Sequence, residues 1–279
     1  MEGLGATLAM GLPARAFYLL MRIAPPRIRS RMWNRLYQRM AKSQTDPTFR
    51  FMNYGYIDDF EVNLDEEDEK DRLFIQLYEM NVRDVSLKDK HVLEVGSGRG
   101  GGASWIAKTF SPERLIAVDY SGEAVKLCSN WYSSQENLEF IAGNAEMLPL
   151  PDESFHIVYN VESSHCYGDI PKFLSEAFRV LIPGGNLCWT DMRDQSTMEN
   201  MEAQFTEAGF VVETSRDVTG NVIDALNLIE EDRKMMIRKS APRSLRKSFE
   251  TFGGVPGTPI YESLKSGRIK YFRYLLSKE

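Results

Sequence analysis

The sequence predicts an α/β fold in which a mostly parallel sheet is covered by helices on both faces. Two observations predict it: short apolar segments alternate with helix-like ones from residue 91 to about 214, and a glycine-rich stretch follows the first apolar segment. Short apolar runs of this kind are typical of strands buried on both faces, as in parallel sheets with helical crossovers. The 279 residues, of which 43% are hydrophobic and 27% charged, suffice for one large domain with a cap or for two small domains.

Six apolar segments define the expected strands, and four further segments define the helices between them. The strands are His91–Val95, Leu115–Asp119, Leu138–Ala142, Phe155–Asn160, Asn186–Asp191 and Phe210–Thr214. The helices are Gly102–Phe110, Gly122–Ser134, Ile170–Val180 and Thr197–Ala208. This alternation implies right-handed crossovers between parallel strands. Near the C-terminus, Arg268–Leu276 has the pattern of one more strand that would close the sheet.

Two stretches outside this alternation are expected to flank the sheet. Before it, Ser30–Met40 has helical spacing, and Leu73–Val82 predicts a helix that leads into the core. After it, the region from about 219 to 266 contains a charged helix, Ala225–Lys239, and a turn-rich segment, Phe252–Pro259. We therefore expect an N-terminal extension (1–29), an N-terminal cap (30–84) and a main domain (85–279) whose insertion at about 219–266 forms a pocket together with the cap.

The charge of the chain is unevenly distributed. Residues 1–50 carry nine Lys or Arg and two acids, a net +7, so the overall charge of −6 leaves −13 for the remainder. This acidic balance argues against general nucleic-acid binding, for which a basic face is expected. Three scattered cysteines (Cys128, Cys166 and Cys188) do not form a disulfide scaffold or a zinc motif, and no metal-ligand spacing is visible. We expect no metal and a reducing, cytoplasmic compartment.

The basic N-terminal segment leaves several interpretations open. Ala6–Ala24 is apolar but is interrupted by Pro13, Arg15 and Arg22, so it is shorter than the roughly 20 apolar residues of a membrane-spanning helix. A basic amphipathic segment is able to lie on an anionic membrane surface, here through residues 1–40. An Arg-rich, acid-poor leader is also typical of an organelle transit peptide. The third interpretation is a helix that packs on the domain.

The glycine-rich stretch Glu94–Gly102 lies between the first strand and the first helix. Glycine is required where the backbone turns with positive φ or where a ligand approaches the main chain closely. Asp119 ends the next strand, 19 residues after Gly100, a spacing that suits a carboxylate accepting ribose hydroxyl groups. The carboxyl ends of adjacent parallel strands are where such sheets bind ligands. This arrangement predicts an adenosine-type ligand, and Gly96, Gly98 and Gly101 also satisfy the dinucleotide pattern.

Three further features favour S-adenosyl-L-methionine over a dinucleotide. Glu94 stands two residues before the first glycine, where a carboxylate would attract a cationic ligand and repel a pyrophosphate. The third strand is followed by G-N-A-E-M-L-P (143–149), and the Ile170–Val180 helix is followed by L-I-P-G-G (181–185). A dinucleotide oxidoreductase is therefore the least favoured alternative.

These motifs together resemble the class I S-adenosylmethionine-dependent methyltransferases over roughly residues 85–215. The segments N-V-E-S-S-H-C-Y (160–167), G-R-G-G-G-A-S-W (98–105) and the tail around 254–274 resemble the mycobacterial phthiotriol/phenolphthiotriol dimycocerosate methyltransferases. That family methylates oxygen on long lipid alcohols, and the similarity extends from about Arg31 to the C-terminus. Sterol and tocopherol methyltransferases are more distantly similar. The resemblance implies a Rossmann-like fold with a seven-stranded, mostly parallel sheet, an N-terminal helical cap and a C-terminal lid insertion.

The resemblance also implies which residues bind the cofactor. Asp119 would hold the ribose hydroxyl groups, Glu94 would contact the amino end, and Tyr54 and Tyr56 would close over the ligand as aromatic faces beside a sulfonium. Many relatives have Asp at Asn144, but the amide keeps an acceptor oxygen. The full cofactor set is Tyr54, Glu94, Gly96, Ser97, Gly98, Gly100, Asp119, Tyr120, Asn144, Ala145, Glu146 and Asn160.

The candidate catalytic residues follow the fourth strand. An alcohol must lose a proton when it is methylated, and a well-placed base accelerates such a step about 10²–10⁴-fold. His165 has the intrinsic pKa for this role at neutral pH, and Glu162 would orient it or contact the cofactor. We interpret His91 and His156 as structural, and Cys166 as packing beside the site.

The sequence therefore predicts an enzyme that transfers a methyl group from S-adenosyl-L-methionine to a hydroxyl group of an apolar, lipid-like or polyketide-type small molecule. Two alternatives remain from the residues themselves. One is a C-methyltransferase on a sterol or isoprenoid, in which Glu162 would stabilise a cation; N-methylation is a weaker variant. The other is a non-catalytic, cofactor-binding partner of another enzyme. Membrane association, organelle targeting and the oligomeric state are left open by the sequence.

Overall fold

A computed structural model describes residues 25, 28, 46–241, 243 and 245–279 of the chain. Apart from residues 25 and 28, the expected N-terminal extension, the Ser30–Met40 helix and the proposed membrane-contacting segment (1–40) lie outside the described residues. Within the region expected to form the cap, the described residues begin at 46 and run without helix to a short 3₁₀ turn at Glu69–Asp71.

A sheet of seven strands, counted over the described residues, forms the centre of the molecule. The strands are β1 (His91–Val95), β2 (Arg114–Asp119), β3 (Leu138–Ala142), β4 (Phe155–Val161), β5 (Leu181–Asp194), β6 (Val211–Asp217) and β7 (Ile269–Ser277). Their spatial order is β3-β2-β1-β4-β5-β7-β6. The pairs from β3 through β5 are parallel, whereas β7 runs antiparallel to both of its neighbours. The predicted α/β fold class and mostly parallel sheet are confirmed.

Ten helices, again counted over the described residues, surround the sheet. They are α1 (Arg72–Val82), α2 (Gly101–Phe110), α3 (Gly122–Trp131), α4 (Ile170–Val180), α5 (Gln195–Met198), α6 (Met201–Glu207), α7 (Thr219–Leu228), α8 (Glu230–Ser240), α9 (Arg246–Phe252) and α10 (Pro259–Lys265). None of the helices in the described ranges combines the length and the apolar character that a membrane span requires.

Two helices expected as single units are each divided, so those two predictions are wrong. The expected Thr197–Ala208 helix is split between α5 and α6, where the Asn200 side chain donates to the Ser196 carbonyl at 2.8 Å and competes with the backbone. The expected Ala225–Lys239 helix is split at Ile229, which leaves helical geometry with φ −97° and ψ 9°.

Strand β5 is longer than expected, because the expected strand covered only Asn186–Asp191. It begins at Leu181 and includes the P-G-G segment that local pattern assigns to a turn. The cause is distant in sequence: the Gly184 N–H donates to the Lys278 carbonyl at 2.6 Å, and the Lys278 N–H donates to the Gly185 carbonyl at 2.9 Å. The C-terminal segment therefore orders the start of this strand.

The sheet separates two hydrophobic clusters. Successive side chains of β1 alternate between them, because a strand points consecutive residues to opposite faces. Val92 lies in the cluster with residues of α1 and α2, whereas Leu93 and Val95 lie in the cluster with residues of α4. Burial on both faces holds the carboxyl ends of β1 to β4 in fixed register, and the loops that follow these strands line the site.

Candidate active site

A cavity of about 320 Å³ opens at the carboxyl ends of β1 to β4. Four loops of the sheet line it: residues 96–99, 118–121, 143–146 and most of 161–167. The cap segment 50–54 lies against these loops, and Phe252 and Ile260 of the insertion complete the wall. The predicted cap and insertion thus meet at the same cavity as the glycine loop.

The glycine loop has the backbone geometry that the sequence predicts. Gly96, Gly98 and Gly100 have φ values of +86°, +55° and +74°. The N–H groups of Gly96 and Ser97 donate to the Val118 carbonyl at 2.8 and 3.0 Å, which ties the loop to β2. A Cβ atom on Gly96 would lie 2.2 Å from Ser163 Oγ. Only glycine therefore fits at position 96.

Asp119 faces this loop from the end of β2. Its Oδ2 accepts the Gly98 N–H at 2.8 Å, and its Oδ1 accepts the Ser121 N–H at 2.8 Å. Burial raises the pKa of Asp119 to about 6, although both N–H groups oppose the shift. Each carboxylate oxygen keeps an acceptor site for a further donor. The side chain is thus held in place with capacity left for a ligand.

Nine of the twelve expected cofactor residues line the cavity. They are Tyr54, Gly96, Ser97, Gly98, Asp119, Tyr120, Asn144, Ala145 and Glu146. Tyr120 is 51% exposed and lies at the rim. Glu146 Oε1 accepts the Gly168 N–H at 2.7 Å, and Asn144 Oδ1 accepts the Glu146 N–H at 3.0 Å. These two side chains hold neighbouring loops in shape.

The other three expected cofactor residues, Glu94, Gly100 and Asn160, do not line the cavity. Glu94 is fully buried under the loop and accepts the Tyr159 hydroxyl at 3.1 Å, and burial raises the pKa of its carboxyl to about 8. Gly100 is the N-cap of α2. The Asn160 amide donates to the Val95 carbonyl and to Ser163 Oγ, both at 2.7 Å. These three residues therefore contact other parts of the protein and help to hold the residues that line the cavity in place.

Tyr56 also differs from the expectation that it closes over the ligand. It is buried outside the cavity wall, and its hydroxyl donates to Asp58 at 3.0 Å. Tyr54 alone of the two tyrosines faces the site. In an extended segment these two side chains would share a face. Gly55 between them has a φ of +85°, so the backbone is not extended there and the two rings point to different surroundings.

Glu162 joins the cap to the loop after β4. Its Oε2 accepts the Tyr54 N–H at 2.7 Å. Its backbone has a φ of +48°, which is unfavourable for a residue with a Cβ, and its N–H donates to the Thr190 carbonyl at 2.8 Å. Its Oε1 is buried and has no hydrogen-bond partner among the described residues. Burial raises the pKa of Glu162 to about 8, and the nearby His165 opposes that shift.

The insertion contacts the same segment through Arg233 of α8. The buried guanidinium donates to the Gly253 carbonyl at 2.8 Å and to the Asn53 carbonyl at 3.0 Å, and it lies over the Tyr54 ring. The Tyr54 hydroxyl donates to the Phe252 carbonyl at 2.7 Å. The segment that contains Asn53 and Tyr54 is therefore joined to Phe252 and Gly253 beside the cavity.

His165 also lines the cavity and is held by Asp191 of β5. The imidazole Nδ1 lies 2.8 Å from Asp191 Oδ1, and the His165 N–H donates to Asp191 Oδ2 at 2.8 Å. Burial lowers the pKa of His165, but Cys166 and Asp191 raise it by more, and it lies well above 6.5. Although burial opposes ionisation of Asp191, the His165 and Arg193 charges hold its pKa far below the ordinary value.

Sequence reasoning missed Asp191 as a residue of the site. The feature that could have found it is its position: an acid at the carboxyl end of an apolar strand, as Asp119 is at the end of β2. Arg233 was also missed, because nothing in its local sequence sets it apart from the other charges of its helix.

The cavity fits S-adenosyl-L-methionine on three observations. Gly96 and Gly98 line the cavity without a Cβ, so a ligand is able to approach their main chain closely. Asp119 offers oriented acceptors, and Ser97 Oγ is buried without a hydrogen-bond partner among the described residues. The aromatic face of Tyr54 and the carboxylate of Glu162 are suited to a nearby sulfonium charge.

Comparison with known proteins gives relatives over most of the chain. Residues 93–189 match the family model described as a methyltransferase domain. The phthiotriol/phenolphthiotriol dimycocerosates methyltransferase of Mycobacterium leprae (strain TN) is 32% identical over 251 residues, which are 89% of this chain and 93% of the relative. The fatty-acid O-methyltransferase of Mycolicibacterium smegmatis (strain ATCC 700084 / mc(2)155) is 33% identical over 245 residues, covering 87% and 88%. The crystal structure of the [4+2]-cyclase SpnF superposes with a TM-score of 0.68 at 17% identity, over 89% of this chain and 94% of that one.

Proposed function

Because this chain belongs to the S-adenosylmethionine-dependent methyltransferases, in the family of its phthiotriol/phenolphthiotriol dimycocerosates relatives, we propose that it methylates an oxygen atom of an apolar, lipid-like acceptor. The observation that carries the proposal is the imidazole of His165, which lies on the cavity wall and is held by Asp191. The names of the relatives point to acceptors with long apolar chains.

The cofactor would be held by the nine residues of the expected set that line the cavity. Asp119 would accept hydrogen bonds from the ribose hydroxyl groups, and Ser97 and the backbone of Gly96 and Gly98 would lie along the ligand. Asn144, Ala145 and Glu146 would flank the adenine, with Tyr120 at the rim. Glu94, Gly100 and Asn160 would keep the loop in the required shape.

The bound cofactor supplies an electrophilic methyl group on a sulfonium. The protein's contribution is to hold the acceptor oxygen in line with that carbon in a site from which water is excluded. The imidazole of His165 would take the proton that the acceptor hydroxyl loses. Glu162 would place its unpartnered Oε1 beside the reacting atoms while its Oε2 stays bonded to Tyr54.

The acceptor would lie between the cap and the insertion. The side chains of Met52, Met192, Phe252 and Ile260 give this part of the wall an apolar character. We therefore propose that residues 30–84 act as the cap and residues 219–266 as the lid of a main domain that spans 85–279. For residues 1–40, whose sequence is basic and partly apolar, we propose contact with an anionic membrane surface. Binding of the full chain to vesicles with and without an anionic lipid tests this contact.

Mass spectrometry of lipid extracts incubated with the enzyme and deuteromethyl-labelled cofactor tests the proposed function. The expected product is a labelled methyl ether or ester, and NMR of the purified product locates the methyl group. A methyl group on carbon would instead support the sterol or isoprenoid alternative. Cofactor binding without turnover on any acceptor would support the non-catalytic alternative. Absence of cofactor binding would contradict the proposal.

A further inference from the structure

Asp191 lies at the end of the apolar part of β5, and each of its carboxylate oxygens has at least two partners within hydrogen-bond distance. It is completely buried. Its Oδ2 accepts the Ser164 hydroxyl at 2.7 Å and the His165 N–H at 2.8 Å, and it lies 3.1 Å from the Arg193 guanidinium. Its Oδ1 accepts the Met192 N–H at 2.8 Å and lies 2.8 Å from His165 Nδ1. An acid with this many donors is ionised and immobile.

This arrangement decides which nitrogen of His165 carries a hydrogen. An ionised carboxylate only accepts hydrogen bonds, so every atom within hydrogen-bond distance of it has to donate. Nδ1 must therefore carry a hydrogen in both the neutral and the charged imidazole. The nitrogen that gains or loses a proton is Nε2.

We propose that Asp191 is a positioning residue that fixes His165 in the Nδ1–H tautomer, so that Nε2 serves as the base for the acceptor hydroxyl. This inference rests on the proposed function. As the acceptor oxygen forms its bond to the methyl carbon, the bond from that carbon to sulfur breaks and leaves its electron pair on sulfur. The proton of the O–H group passes to Nε2, and the resulting imidazolium is stabilised by the Asp191 carboxylate.

The surroundings keep Asp191 from turning away from the imidazole. Ser164 Oγ also accepts the Trp189 Nε1–H at 2.9 Å and the Arg193 Nη2–H at 2.8 Å, so the donors to Oδ2 are themselves held in place. The charged groups near His165 are Asp191 and Arg193 of β5 and Glu162 of its own loop, with Arg233 of α8 facing Glu162. The thiol of Cys166 is also adjacent to His165.

The tautomer is measurable without any methyl transfer. The chain has three histidines, so ¹⁵N-edited NMR of the imidazoles gives a simple spectrum that His91→Gln and His156→Gln assign. We expect a hydrogen-bonded Nδ1–H resonance of His165 both below and above its titration midpoint in the wild-type chain. A neutral His165 that carries its hydrogen on Nε2 would overturn the proposal, whether or not the chain methylates the tested acceptor.

Asp191→Asn gives the kinetic test. The amide oxygen is expected to stay with the three donors that face Oδ2, so the amide NH₂ faces Nδ1 and forces the other tautomer. We expect kcat to fall about 10²–10⁴-fold, the range for loss of a general base, with little change in affinity for S-adenosylhomocysteine. Asp194→Asn, on the exposed end of the same strand, is the matched control and should keep its activity.

A double-mutant cycle separates positioning from a structural role. Because Asp191 is proposed to act through His165, adding Asp191→Asn to His165→Ala should reduce kcat little further. Additive losses, or an Asp191→Asn variant that keeps the Nδ1–H resonance and the wild-type pH profile, would contradict the proposal. If wild-type NMR shows the expected tautomer but no acceptor is methylated, the proposed function fails and the tautomer assignment stands.

Discussion

The backbone N–H of Tyr54 donates to Glu162 Oε2 at 2.7 Å, across 108 residues of sequence. This bond joins the cap to the loop that also carries His165. The other carboxylate oxygen of Glu162 is buried and has no hydrogen-bond partner among the described residues. The same side chain therefore lines the cavity and also holds Tyr54 in place. The positions of Tyr54 and of the loop after β4 are therefore linked through one carboxyl group.

Replacement of His165 by alanine is expected to reduce kcat about 10²–10⁴-fold with a hydroxyl acceptor, because the variant lacks the base that takes the proton. The dissociation constant for S-adenosylhomocysteine, measured by isothermal titration, should change little. Alanine at His156, which lies on β4 away from the cavity, is the control. Equal turnover in His165→Ala and the wild-type chain would exclude His165 as the base. A carboxylate acceptor needs no deprotonation, so the same variant should lose much less activity on a fatty acid.

The pH dependence of kcat is expected to show a rising limb. The imidazolium form of His165 has no free acceptor, and the Asp191 carboxylate helps to raise the His165 pKa well above 6.5. Activity on a hydroxyl acceptor should therefore increase with pH through a midpoint above that value. The residual activity of His165→Ala should not show this rise with pH. A wild-type profile that is flat from neutral to alkaline pH would contradict this assignment.

Asp119→Asn is expected to weaken binding of S-adenosylhomocysteine roughly tenfold or more, since a hydrogen bond to a charged group contributes about 1.5–3 kcal/mol. Because the pKa of Asp119 is about 6, the wild-type carboxylate becomes protonated and loses acceptor capacity as the pH falls below that value. Binding to the wild-type chain should therefore weaken as the pH is lowered through about 6. The Asp119→Asn variant has no carboxylate at this position, so its binding should not show this dependence on pH. Isothermal titration at several pH values measures both effects, and an unchanged dissociation constant would contradict the ribose-binding role.

Gly96→Ala is expected to lower the melting temperature and abolish cofactor binding. The new Cβ would lie 2.2 Å from Ser163 Oγ on a backbone with φ +86°. Gly184→Ala separates the two causes, because Gly184 has φ +77° but a Cβ there would meet no heavy atom within 4 Å beyond its own chain neighbours. The Gly184→Ala control should lose only about 1–2 kcal/mol of stability, which is the cost of a left-handed backbone for a residue with a Cβ. It should still bind the cofactor. Equal melting temperatures for the two variants would show that the contact with Ser163 is unimportant.

Arg233→Met is expected to reduce both stability and cofactor affinity. Methionine keeps an apolar stem but leaves the Gly253 and Asn53 carbonyls without their donor, and each unsatisfied buried group costs about 1–3 kcal/mol. Thermal unfolding and isothermal titration measure the two effects. Arg238→Met, on the exposed face of the same helix, is the control. Wild-type affinity in Arg233→Met would show that the insertion does not hold the cap.

The local sequence is sufficient to predict the elements whose structure depends mainly on nearby residues. The strands β1 to β4, the glycine loop and Asp119 follow from short apolar runs and from the backbone freedom of glycine, so their positions are predictable. The pairing of Asp191 with His165 and of Arg233 with the cap depends on how distant segments pack, which no periodicity records. The same holds for the start of β5, whose geometry depends on Lys278.

The placement of β7 between β5 and β6 has a consequence for assembly of the molecule. Within the sheet of the described residues, β6 pairs with β7 alone, so residues 211–217 have no strand to join until residues 269–277 arrive. Residues 219–266, the proposed lid, all lie between these two segments in the chain. The edge of the sheet at β6 therefore depends on pairing between distant segments of the chain, whereas β1 to β4 pair with one another without it.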